Sequence, residues 1–168
     1  AMTRLNYPGR ELFRSSIIVS YLMPTAVLFV PMYVFVSSLG FYDNKYALLI
    51  IYPTFVVPYC CYMLISYFKA IPYALEEAAL IDGCNRIQTL WHIIIPIALP
   101  GIAVVATFAF TMAWNEYLYA MIMTTSNAQK TATVAISAFK FADSAIWGRI
   151  MSASVVCSLP VTILYIVA

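Results

Sequence analysis

Charged side chains fall along this chain in clusters, leaving five segments without any: Ser15 to Tyr42, Tyr46 to Phe68, Ile87 to Asn115, Tyr117 to Gln129 and Ile150 to Ala168. Three of these reach the roughly 20 residues that a helix needs to cross about 30 Å of hydrocarbon, and the last is marginal. The pattern predicts four spanning helices, running approximately from Leu12 to Leu39, Tyr46 to Phe68, Pro100 to Met123 and Arg149 to Ala168. The expected fold class is therefore all-α, a polytopic membrane helix bundle. Pro24, Pro31, Pro53 and Pro58 fall inside the first two spans, where freed carbonyls are tolerated if neighbours or a water-filled path satisfy them.

Composition agrees with a lipid solvent. Hydrophobic residues make up 64% of the chain and charged residues 10%, with a mean hydropathy of +0.89. Nine basic and seven acidic residues cannot coat a soluble core of this size, and a net charge of +2 gives no footprint for nucleic acid. Membrane lipid is an expected neighbour. Alternate loops place Arg4, Arg10, Arg14, Lys69 and Arg86 on one side and Lys45, Lys130, Lys140 and Arg149 on the other. The cluster of Arg4, Arg10 and Arg14 beside the first span puts the N-terminus in the cytoplasm. Neither end carries a signal peptide or polar tail, so the chain reads as a fragment.

Reactive chemistry is sparse. Cys60, Cys61, Cys84 and Cys157 have no metal or redox spacing and read as small buried hydrophobes, and the solitary His92 makes a poor metal ligand. No catalytic residue, metal or cofactor is expected. Glu116 is the one carboxylate well inside an apolar stretch, about 15 residues and roughly 22 Å beyond Gly101 along a helix. Such an acid marks either a pathway or a structural pair, and we place Asn115 and Glu116 at the outer end of a translocation path. The abundant tyrosines suit interfacial belts and interhelical hydrogen bonds better than a sugar-stacking track.

The most informative stretch lies between the second and third spans, from Lys69 to Pro96. It predicts two short helices: Pro72 in a first turn followed by Glu76 and Glu77, a stop at Asp82-Gly83, and Asn85 capping a second helix. That second helix carries Ile87, Leu90, Trp91 and Ile94 at helical spacing, and Pro96 limits it. The stripe fits either packing on its own bundle or docking in a partner's groove.

Glu77-Ala78-Ala79, three residues, Gly83, nine residues and then Ile93-x-Ile95-Pro96 resembles the EAA signature of ABC importer permeases, with Ile95 where leucine is usual. The resemblance implies that residues 69–96 form a cytoplasmic coupling loop seated on an ATPase. Glu77 would meet a basic residue, Ala78 and Ala79 would allow close approach, Gly83 would make the turn, and Ile87, Leu90, Trp91 and Pro96 would complete the docking face. The chain contains no Walker-type phosphate loop, so ATP hydrolysis is assigned to a partner and the permease is not an enzyme. Tyr7-Pro8-Gly9-Arg10, Leu22-Met23-Pro24, Ala113-Trp114-Asn115-Glu116-Tyr117-Leu118 and Trp147-Gly148 resemble the maltose-type carbohydrate permeases. That likeness implies a single permease domain over residues 1–168, truncated at both ends from a six-helix whole, in a bacterial cytoplasmic membrane. It implies an ATPase dimer, a second related permease, a solute-binding protein and a sugar substrate as partners. Residues 124–148 would be a periplasmic loop, polar at first and amphipathic through Val134 to Phe141, with Asn127, Gln129 and Lys130 touching the binding protein. An ion-coupled transporter using Glu116 and Asp82 is the alternative weighed; a membrane enzyme ranks last.

Overall fold

The computed structural model describes residues 2–139 and 147–167 and is helical, with no strand among them. In order come α1 (Arg10–Leu22), α2 (Thr25–Ser38), α3 (Ala47–Ala70), α4 (Ala74–Ile81) and α5 (Arg86–Thr89). A five-residue π turn (Leu90–Ile94) leads into α6 (Ile95–Trp114), followed by α7 (Leu118–Met123), α8 (Ala132–Ala138) and α9 (Trp147–Val167). Three helices are long and apolar enough to cross a membrane: α3, the continuous helix Arg86–Trp114, and α9, with 24, 29 and 21 residues.

The expected first span, Leu12 to Leu39, is instead two helices bent by 96°. The break falls at Met23-Pro24, where both residues are extended. Proline has no N–H to continue the ladder and disfavours helical geometry in the residue before it, so Met23 leaves the helix. Pro31, Pro53 and Pro58 stay inside α2 and α3. The expected third span also shifts, starting well before Pro100 and ending at Trp114 rather than Met123. Pro96 does not end the helix before it. The ladder moves to i−5 there, with the Ile95 N–H on the Leu90 carbonyl, so the π turn absorbs a proline that an α ladder would not.

Two packed regions hold the bundle. At one end Val36, Ala47, Leu48, Ile51, Tyr119, Ala120, Met123 and Val134 form the main core. At the other, Ile71, Ile94 and Ala98 pack with Phe68 and Ile102 beneath α4 and α5. We call these the far and near ends. Between them α3 and α6 approach closely at Gly101, where an added Cβ would lie 2.5 Å from the Tyr67 ring. Within lipid the hydrophobic effect does not press helices together, so close packing at small residues becomes a main source of cohesion. The Trp114 indole N–H donates to the Cys157 carbonyl at 3.0 Å and ties α9 to α6. Most of the apolar surface of α9 stays exposed.

Candidate functional site

The near-end loop is built by local signals that can be read atom by atom. Helix α4 stops in a Schellman turn: Gly83 has φ of +85°, the Cys84 N–H donates to the Ala79 carbonyl at 3.0 Å and the Gly83 N–H to the Leu80 carbonyl at 3.2 Å. Glycine adopts this left-handed geometry without the steric cost a Cβ brings. Asn85 then opens α5 with a reciprocal capping box. Its Oδ1 accepts from the Ile87 and Gln88 N–H groups at 3.0 and 2.9 Å, while its own N–H donates to Gln88 Oε1 at 2.8 Å. Two orphan donors at the helix start and one flanking amide are thereby satisfied. Helix α4 begins at Ala74, leaving Pro72 just ahead of it rather than within its first turn.

The residues expected to face a partner divide. Glu77, Ala78, Gly83, Ile87, Leu90, Trp91 and Pro96 are exposed, with Ile87 at 70% and Trp91 at 62%. Ala79 is not: it is 1% exposed and sits against its own chain, so its small size serves internal packing. Ile94 is buried beneath the stripe and anchors it. Sequence reasoning missed Leu80 and Ile81, the latter 85% exposed at the tip of α4. Their signal was available, since adjacent large apolar residues in the last turn before an Asp-Gly stop point about 100° apart and cannot both turn inward. Leu80, Ile81, Ile87, Leu90 and Trp91 are the exposed large apolar residues flanking the turn from α4 to α5, and we refer to them together as its apolar edge. A pocket of about 490 Å³ lies beside it, with Leu80, Ile87, Leu90 and Phe68 in its wall.

Glu76, passed over in favour of Glu77, is engaged within the chain. Its Oε1 accepts from Arg4 Nε at 2.9 Å, and the same guanidinium donates to the carbonyls of Phe68, at 2.9 Å, and Ile71. His92 turns back along its own helix, its Nδ1 3.1 Å from the Gln88 carbonyl oxygen.

At the far end Glu116 lies in the break between α6 and α7. Its carboxylate accepts from the backbone N–H groups of Tyr119 and Ala120 at 2.9 and 3.0 Å and from the Tyr52 hydroxyl at 3.3 Å. The acid thus caps α7 and pins it to α3, the structural-pair side of the choice posed by the sequence. Asn115 is exposed. The α7–α8 loop is stitched to the loop before α3: Asp43 Oδ1 accepts from the Thr125 and Ser126 N–H groups at 2.7 and 2.9 Å, and the Lys45 N–H donates to Gln129 Oε1 at 3.2 Å. Those bonds, the Ser126 N–H foremost, hold the Asp43 carboxyl below the usual carboxylate range against the opposing effect of partial burial. Lys130 Nζ donates to Asn127 at 2.8 Å. Gln129 is half-buried and engaged by the Lys45 amide, while Asn127 stays exposed. The expected amphipathic stretch corresponds to α8, whose Val134 is buried, and Phe141 lies outside the described residues. No three His, Cys, Asp or Glu side chains among the described residues come together as a metal site.

Comparison with known proteins follows this geometry. The family model described as "Binding-protein-dependent transport system inner membrane component" matches residues 1–168. The chain is 39% identical to the inner membrane ABC transporter permease protein YcjP of Escherichia coli (strain K12), with 98% of this chain and 59% of that protein covered. It is 33% identical to the trehalose/maltose transport system permease protein MalG of Thermococcus litoralis, again over 98% and 59%. The chain thus spans about three fifths of the length of these curated relatives. A solved bacterial ABC transporter involved in the import of the acidic polysaccharide alginate shares the fold, with a TM-score of 0.73, 22% identity and coverage of 99% of this chain and 63% of that one. With a family model that matches its whole length, the chain belongs to the inner membrane components of binding-protein-dependent transport systems.

Proposed function

We propose that this chain forms part of the membrane pathway of an ATP-driven importer, with residues 69–96 docking on a separate cytoplasmic ATPase. The observation that carries the reading is the apolar edge of Leu80, Ile81, Ile87, Leu90 and Trp91, held out from the bundle by a Schellman turn and a capping box. Large apolar side chains grouped at the end of α4 and on the first turns of the helix that runs on into the third span mark a surface meant to be covered. Glu77 beside them offers a carboxylate to a basic residue of the partner. This docking puts the near end, with Arg4, Lys69 and Arg86, in the cytoplasm and the far end in the periplasm.

Carbohydrate is the proposed cargo, supported by the trehalose/maltose permease among its relatives. A solute-binding protein would deliver it to the far-end loop, where exposed Asn127 and neighbouring Lys130 are the proposed rim contacts and Asn115 faces the path. Gln129 and Glu116 shape those surfaces from within. A second permease related to this one would complete the pathway against the bare apolar helices. The ion-coupled alternative loses ground, because Glu116 is spent on helix capping and Asp82 is an exposed C-cap residue at the near end.

The test is Gly83→Val in the full-length permease, with the ATPase subunit co-purified and sugar uptake measured. No atom lies within 4 Å of a Cβ at this position, so the substitution acts through the backbone. A β-branched residue in left-handed geometry costs at least the roughly 1–2 kcal/mol of that conformation. Loss of ATPase association with intact membrane insertion supports docking; normal association and uptake count against it.

A further inference from the structure

Arg4 occupies a position that neither the motif nor the apolar edge explains. It lies six residues before α1, yet its guanidinium reaches three features of the near end at once. It donates to the Phe68 and Ile71 carbonyls, at the last turn of α3 and just beyond it, where a helix leaves acceptors unsatisfied. Nε binds Glu76 of α4 at 2.9 Å, and the Tyr73 ring lies beneath the guanidinium carbon at 5.7 Å. The ion pair is largely shielded, with side-chain exposures of 21% and 17% for Arg4 and Glu76. A planar guanidinium can present several donors in fixed directions, which an ammonium cannot.

From this geometry we infer that Arg4 is a positioning residue that fixes the angle of α4 against the end of α3, and so sets how the docking edge is presented. Only Ile71, Pro72 and Tyr73 separate α3 from α4. That short link leaves the direction of α4 open unless something outside it holds both helices. Packing on α5 and the π turn supports α4 from one side, and Arg4 supplies the direct tie to α3: the carbonyl bonds fix it to α3 and the Glu76 bond fixes α4 to it. The strut also ties the segment preceding α1 to the loop. A displacement of that segment therefore moves α4, and a push on α4 is transmitted back into the bundle. The role rests on the docking reading proposed above and adds to it the element that makes the dock rigid.

Two measurements separate the strut from the dock. The first needs no ATPase: spin labels at Asn6→Cys and Ile81→Cys are introduced into the full-length permease, with the native cysteines replaced, and their distance distribution is read in nanodiscs. Arg4→Gln should broaden the distribution at least twofold, Glu76→Gln should broaden it less because the carbonyl bonds persist, and Arg4→Lys should fall between wild type and Arg4→Gln. The second measures transport per ATP hydrolysed in the reconstituted transporter, where Arg4→Gln should lower the ratio roughly fivefold or more while the ATPase still co-purifies. The charge-swapped pair Arg4→Glu with Glu76→Arg should recover part of the order that either single reversal loses. An unchanged distance distribution in Arg4→Gln overturns the strut, as does a broadened one with an unchanged coupling ratio. An ATPase that binds equally well to an Ile81→Asp permease sinks the docking reading instead, and the distance measurement still judges the strut.

Discussion

Glu116 and Tyr119 are joined by a hydrogen bond of 2.9 Å from the Tyr119 amide to the Glu116 carboxylate, and this contact gives an acid in an apolar stretch a structural partner. The Tyr119 hydroxyl in turn donates to the Thr25 carbonyl at 2.8 Å, just past the bend between α1 and α2. One acid thus organises a break in the third span and, through its neighbour, the break in the first. Unpaired carboxylates are costly in a membrane, but a carboxylate that accepts two backbone amides and a hydroxyl is a satisfied one.

The first prediction follows from that cap. Glu116→Gln keeps one acceptor oxygen but loses charge assistance, so it should destabilise the protein by about 1 kcal/mol and leave sugar uptake at half of wild type or better. Thermal inactivation in detergent and uptake in membrane vesicles check the two parts. Complete loss of uptake at unchanged stability would restore the acid to a coupling role.

A second prediction concerns the approach of α3 and α6. Gly101→Leu places a side chain where the Tyr67 ring now sits and should cost about 1–3 kcal/mol, as overpacking does. Tyr67→Ala in the same chain should restore part of that loss, because the space it vacates lies directly over position 101. A double-mutant cycle on detergent unfolding reads the coupling, and strict additivity would show that the two helices do not meet there.

A third prediction concerns acid. The Asp43 carboxyl is held below its ordinary range, so the unfolded chain takes up its proton first as pH falls. Its contribution is present in full above the usual carboxylate range and disappears as pH drops through the lower, folded-state value. Protease nicking of the 124–131 loop should stay slow from pH 7 to 5 and rise below about pH 4. Asp43→Asn keeps a side chain that tolerates the residue's φ of 49° but removes the charge, and should nick faster already at pH 7.

The two-helix form of residues 69–96 was legible in the sequence because its determinants are local. Gly83 and Asn85 impose their geometry through bonds to residues within five positions, and the structure shows both devices. Spans α3 and α9 were legible from length and apolarity. The bend at Pro24 was not, since four prolines lie in the first two spans and composition does not distinguish the one that breaks a helix from those that a helix absorbs. The Arg4–Glu76 pair was out of reach for a different reason: its partners are 72 positions apart, and nothing near Arg4 announces where its guanidinium goes. Glu116 lay between these cases. The amides it caps are only three and four residues ahead, but recognising the cap required knowing that α6 ends at Trp114.

Docking of residues 69–96 on the ATPase is tested most directly by site-specific crosslinking from Ile81, the most exposed position on the apolar edge. A photoreactive amino acid at Ile81 of the full-length permease, in membranes that contain the assembled transporter, should yield one adduct with the ATPase subunit. The same probe at Leu118, at the far end, should yield none. An adduct with the ATPase from Leu118, or none from Ile81 while the complex is intact, would contradict the account.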